Sequence, residues 1–307
     1  MNRSQSRFAD LLARLTPPGP SGSRTELAGV VTSLHASASE AFTMVGELTG
    51  LPGPARQAAQ VQVKVIDRPR WQEANQQMIG QVLERIGGEA LTFSPTNPAL
   101  ASVFAALSTR VLGQFDPFHR RLLLVAPNIV AIERKLNFDA MDFRLWVCLH
   151  ECTHAVQAAA APWLEDYLLS LVQELMQDAS DRTTDSPQFE AVTALMSLLE
   201  GHADALQGRV TPARIPSARR IRAAVDQRRE QPGPVTAVIR EIFGMNAKLA
   251  QYRDGAAFVR RVVDEAGLAT FNRVFDSPAQ LPTLAEIHDP GVWIRRITAD
   301  ASDPMTV

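Results

Sequence analysis

Two cysteines, Cys148 and Cys152, are all the thiol this 307-residue chain has. That excludes a disulfide framework and a cysteine-rich zinc site, both of which need more pairs, and leaves the two as small buried apolar residues. Net charge is nearly absent as well: 31 Lys and Arg stand against 33 Asp and Glu, for a formal charge of -2. No global pull toward nucleic acid or an anionic membrane is expected from such a balance. No apolar run approaches the roughly 20 residues of a membrane span. The opening MNRSQSRFADLLARL is interrupted by Asp10 and Arg14, where a secretion signal needs an unbroken apolar stretch. The expectation is therefore a cytoplasmic protein without nucleic-acid or membrane partners. Glycine-rich phosphate loops, nucleotide fingerprints and fixed-period repeats are lacking too. Oligomeric state leaves no signal in the sequence.

What is present is enough apolar material for a large core, 46% of the residues. The segment TPPGPSGSR, residues 16–24, gathers proline, glycine and serine, so residues 1–35 read as a flexible N-terminal segment ahead of a single domain, 36–307. The spacing of Phe8, Leu11, Leu12 and Leu15 would put them on one face of a short docking helix, and incidental contact is the reading preferred. From about Thr32 onward helical periodicity dominates, with readings at roughly 70–87, 99–113, 140–161, 163–178, 187–207, 217–230, 235–250 and 254–266. Two segments read as strands, VQVKVI at 61–66 and LLLVAP at 122–127. The fold class expected is mainly α with a small β-sheet. Trp71, Trp146, Trp163 and Trp293 are spread along the chain as core anchors.

The chemistry concentrates in CLHECTHAVQ, residues 148–157. Asp139 can cap and Pro162 can end a helix that carries this segment, and Phe143, Trp146, Val147, Leu149 and Val156 make it a central, buried one. Residues four apart on a helix stand one above the other, so His150 and His154 project toward a point where one cation accepts both. Glu151 sits beside that point, placed to take a proton from a water as general base. A catalytic zinc ion takes three protein ligands and keeps one position open. The third is expected from SLLEGHADALQ, residues 197–207. There Glu200 continues the apolar stripe of Phe189, Val192, Met196 and Ala203, and its carboxylate is expected to point inward. His202 is the alternative ligand; it lies about 200° around the helix from Glu200, so both hardly bind one ion. Asp204, a turn after Glu200, is expected to receive the outer N–H of a ligating histidine.

The pattern H-E-C-T-H followed by E-G-H-A-D resembles the zincins, and within them the glutamate-ligand branch, the gluzincins. The 45 residues between His154 and Glu200 depart from the short linker usual there, and they carry their own helix, PWLEDYLLSLVQELMQ. The stretches VIDRPRWQEAN, VLGQFDPF, LLLVAPNIVAIE, DFRLWVCLHECTHAVQ, LLEGHAD, AQYRDGAAFV and FNRVFDSPAQLPTLAEI are similar to a bacterial family of zinc-dependent metalloproteases or hydrolases associated with deazaflavin coenzyme biosynthesis. The resemblance spans about residues 36–300 and implies a mostly helical zincin-like domain with His150, Glu151 and His154 at its motif positions.

A hydrolytic zinc site also needs a donor for the developing oxyanion. Tyr252, one of two tyrosines, is the first candidate and His288 the second, while Tyr167 is expected to pack within the insert helix. The arginine-rich stretch at 218–230 reads as a solvated helix face. The function expected is a zinc-dependent hydrolase, a metallopeptidase acting on peptide or amide bonds. The alternative is a non-catalytic, zinc-stabilised binding or assembly protein, against which Glu151 argues, because a structural site has no use for a base. A di-iron carboxylate bundle would need a second E-x-x-H, and none is present.

Overall fold

The structure is a computed structural model that describes residues 16–86, 105–177, 186–228 and 254–302. The helical reading at 235–250 and Tyr252 lie outside these residues, and the reading at 99–113 does so in part. The described chain is mainly helical with one small sheet, as the sequence leads one to expect. It divides into two compact units. Residues 16–40, 61–86, 105–151 and 211–228 form the first, and residues 41–60, 152–177, 186–210 and 254–302 the second.

In the first unit, three strands, β1 (Gln62–Ile66), β2 (Gly113–Asp116) and β3 (Arg121–Val125), lie in the order β1-β3-β2. β1 runs parallel to β3, in a register that sets Val63 opposite Leu122, and β2 runs antiparallel to it, with Gly113 opposite Leu124. The middle strand is β3 because its residues RLLLV are buried throughout, whereas β1 is only half-buried. The turn between β2 and β3 is held by Asp116, whose Oδ2 accepts from Arg121 Nε at 2.9 Å and lies 2.9 Å from His119 Nδ1. Helix α3 (Arg68–Arg85) docks on β2 through Trp71, whose indole N–H donates to Gln114 Oε1 at 2.8 Å.

Several boundaries differ from the sequence reading, two of them in the helix and the strand that follow. Helix α1 spans Arg24–Thr49 rather than starting near Thr32, so the expected flexible segment gives way to helix from Arg24 on. Its start is a reciprocal cap: Glu26 N–H donates to Ser23 Oγ, and Ser23 N–H donates to the Glu26 carboxylate. That acceptance holds the Glu26 carboxyl below its usual range, through the Ser23 backbone first. The second strand also stops early. Ala126 and Pro127 open a helix, α4 (Ala126–Leu136), that follows β3 directly and ends at Asn137 in the left-handed region.

The second unit is built from helices: α2 (Pro52–Ala58), α6 (Leu164–Gln177), α7 (Pro187–Gly208), α9 (Asp254–Asn272), α10 (Leu284–His288) and α11 (Pro290–Ser302). Helix α5 (Ala140–Ala160) belongs to the first unit up to Glu151 and to the second from Cys152, and α8 (Ala218–Arg228) to the first. The core of the second unit gathers Leu198, Phe258, Val262, Phe271, Trp293 and Ile297, all buried. The Trp293 indole N–H is satisfied by Gln280 O at 2.9 Å, and its ring meets Phe258 edge-on. Tyr167 packs edge-on against Trp163, within and beside the insert helix.

α7 and α9 pack at two glycines. A Cβ on Gly255 would stand 1.9 Å from Ser197 O, and one on Gly201 would stand 2.2 Å from the Gly255 carbonyl carbon. Backbone touches backbone there, and no side chain fits between. This crossing fixes the height of α7 one residue from Glu200. Gly201→Ala and Gly255→Ala are expected to lower stability by at least about 1–3 kcal/mol, the usual cost of overpacking. Gly80→Ala, at an exposed helical site with open space around it, is expected to be neutral or to gain up to about 1 kcal/mol. Urea unfolding of the three variants checks the contrast.

Candidate metal centre

Helix α5 positions the first two functional side chains. Its residues Phe143, Val147, Cys148, Leu149, Cys152 and Val156 are buried at 3% exposure or less, so the helix is anchored on most of its circumference. Cys148 and Cys152 form no disulfide and are buried, and burial pushes the Cys148 thiol well up, with Glu151 adding to the rise. Cys148 is therefore not suited to hold a cation as thiolate. His150 and His154 occupy the remaining stripe and are half-buried.

Helix α7 supplies the third. It begins at Ser186, whose hydroxyl accepts from Phe189 N, with Pro187 in its first turn. Glu200 comes to the histidines: one ligand atom each from His150, His154 and Glu200 lies within 4.8 Å of the others. His154 Nε2 stands 3.7 Å from Glu200 Oε1. Ligands 2.0–2.2 Å from a tetrahedral zinc ion are about 3.3–3.6 Å apart, so at 3.7 Å the pair is slightly wider than that and too long for a direct hydrogen bond. Two imidazoles and one carboxylate form the donor set of a zinc site with an open fourth position. The three residues fit the metal. The Glu200 side chain is 39% exposed, so the expectation that its carboxylate points into the core is corrected. The physical reason is reach, since the glutamate carboxylate stands two methylenes beyond the helix face that its Cα occupies.

Gln157 determines the tautomer of His154. Its Oε1 lies 2.9 Å from His154 Nδ1, and its Nε2 donates to Leu199 O at 2.9 Å. A carbonyl only accepts, so the amide cannot be turned around, and Nδ1 must carry the proton. The Nε2 lone pair is then left on the Glu200 side. The other N–H of Gln157 meets His202 Nδ1 at 3.1 Å. For His154, the place foreseen for Asp204 is thus taken by Gln157; Asp204 sits half-buried a turn beyond Glu200. Gln157 was legible as an i, i+3 neighbour of His154 on the same helix, yet the sequence reading passed over it.

His202 is placed differently from Glu200. It is 4% exposed, with its ring 4.8 Å from that of Phe271 and 5.7 Å from that of Phe275. Its Nδ1 accepts from Gln157, which fixes the neutral form with the proton on Nε2. Burial first, then the neighbouring His154 and Arg209, pull its pKa down to about 3. The alternative third ligand is thus a core imidazole that braces Gln157.

Glu151 is 9% exposed and lies against the strand β2. A Cβ on Gly113 would stand 2.5 Å from Glu151 Cγ and 3.1 Å from Oε1. The strand backbone thereby walls the carboxylate, a role for Gly113 that no sequence pattern signals. His288 ends α10 and is exposed. Among the described residues, no helix is long and apolar enough to cross a membrane.

Comparison with known proteins agrees with this geometry. None of the curated proteins matches the chain. A crystal structure from Chloroflexus aurantiacus, described as "a putative hydrolase with a novel fold", is 28% identical, with a TM-score of 0.77 over 96% of this chain and 98% of that one. The profile of the family described as zincin-like metallopeptidase matches residues 7–190 and 181–294. The segments cover the helix with both histidines and the helix with the carboxylate, and the chain belongs to the zincin-like metallopeptidase family.

Proposed function

We propose that this protein is a zinc-dependent hydrolase, a metallopeptidase acting on peptide or amide bonds, with the ion held by His150, His154 and Glu200. The observation that carries the reading is the convergence of those three side chains at a half-exposed face. Zinc held there would supply Lewis-acid polarisation of a carbonyl and lower the pKa of water toward about 7. The chain's own residues do the rest. Glu151 accepts the proton of the attacking water at its carboxylate, and passes it to the nitrogen as the C–N bond breaks, so that the amine leaves neutral. Gln157 holds His154 in the tautomer with the proton on Nδ1. Gly113 keeps Glu151 from swinging toward β2. Among the described strands β2 lies at the edge of the sheet, and such an edge offers N–H and C=O groups to an extended peptide, which supports peptide over other amides. Tyr252 enters as oxyanion donor on the sequence argument alone. The link to deazaflavin coenzyme biosynthesis adds no group to the site.

Three results are expected. Glu151→Gln retains stoichiometric zinc by elemental analysis but loses cleavage of a peptide library by a factor of about 10²–10⁴, the usual weight of a general base. Glu200→Ala loses zinc, whereas His202→Ala retains it; the reverse would reassign the third ligand. Gln157→Leu weakens zinc binding by about 10- to 100-fold in a chelator competition, and Gln157→Glu, which keeps an acceptor for His154 Nδ1–H, recovers most of it.

A further inference from the structure

Away from the metal centre, in the first unit, a cavity of about 400 Å³ opens between the chain at Thr16–Pro20, helix α1, the start of α3 and helix α4. Its walls are largely apolar. Leu27 and Val31, 48% and 41% exposed, both line it, and only four large hydrophobic side chains are that exposed among the described residues. Pro127 and Val130 line the cavity as well. Exposed apolar side chains on a cavity wall offer contact to an apolar ligand.

The cavity also holds a charge. Arg68 lines it and is only 8% exposed. Its Nε donates to Asn128 Oδ1 at 2.7 Å, and Nη1 donates to the carbonyls of Pro17 and Pro18 at 2.6 and 3.1 Å. Asn128 is held in that orientation because its own amide donates to Ser108 O and Val111 O. Nη2 meets no acceptor among the described residues, and no carboxylate lies within ion-pair distance of the guanidinium. Burial pulls its pKa below the usual guanidinium value. The two carboxylates on the cavity wall are committed elsewhere: Asp67 accepts from Arg70 N, and Glu26 from Ser23 N. Arg134, also on the wall, donates to Ser21 O.

A buried guanidinium with no counter-charge among the described residues, set in an apolar cavity of the size usual for small ligands, is a specific arrangement. We propose that this cavity binds a small apolar carboxylate, its chain along Leu27, Val31 and Val130 and its head on the free Nη2 of Arg68. A monoanion fits better than a phosphate dianion, because Asp67 and Glu26 already bring negative charge to the wall. The site is independent of the zinc reading, since none of its residues belongs to the metal centre.

Isothermal titration of the full chain with octanoate, below its micelle concentration, tests this. The expected result is saturable one-to-one binding, at least tenfold tighter than octanol or octyl phosphate. Arg68→Gln is expected to erase the preference for octanoate over octanol. Because Arg68 also holds the Pro17–Pro18 carbonyls, Val31→Asn serves as a second variant at an exposed position; it should weaken octanoate and octanol alike by threefold or more, with an unchanged unfolding temperature. Non-saturating heats, equal binding of octanol and octanoate to the wild type, or full octanoate affinity in Val31→Asn would each overturn the proposal.

Discussion

One amide side chain ties the proposed centre together. Gln157 receives His154 Nδ1–H, gives one N–H to the carbonyl of Leu199 and the other to His202, and so links α5 to α7 through groups that have only one satisfying arrangement. Every polar atom of the amide is used. The consequence reaches the chemistry, because the tautomer of His154 decides whether a lone pair or a proton faces Glu200. Buried His202 carries no metal in this account, but its neutral ring completes the link.

Backbone packing serves the same end. The contact of Gly201 and Gly255 brings α9 against α7 with no side chain between them, and the phenylalanines of α9 and the residues after it close around His202. Glu200, next to Gly201, is therefore set by backbone rather than by its own long side chain. Within the first unit, Gly113 lets β2 approach Glu151 closely enough to confine it. Glycine at both positions answers a need for closeness, and each lies one step from a residue proposed to act.

The histidines were legible because the i, i+4 spacing and the apolar neighbours of α5 together imply a shared face. Glu200 was found by the stripe of α7, but that argument foresaw an inward carboxylate, where the side chain is in fact 39% exposed. Periodicity reports which face a residue occupies, and the far end of a glutamate reaches beyond it. Gln157 and Gly113 were missed since their roles arise from contacts across elements, which no local pattern encodes. The helix readings at 140–161, 163–178 and 187–207 match α5, α6 and α7 to within a residue at each end, helped by the prolines that bracket them. Helix α4 escaped because LLLV runs into Ala126-Pro127 with no turn residue between strand and helix, although Pro127 is itself a start signal. The start of α1 escaped because proline, glycine and serine masked the S-x-x-E cap at Ser23.

The central claim concerns what the three converging side chains hold. X-ray absorption at the zinc edge of the purified full-length protein tests it most directly. The account predicts zinc bound by nitrogen and oxygen at about 2.0–2.2 Å, with an imidazole scattering pattern from two histidines and no sulfur. Sulfur at about 2.3 Å, or a protein that takes up no zinc at all, would contradict it.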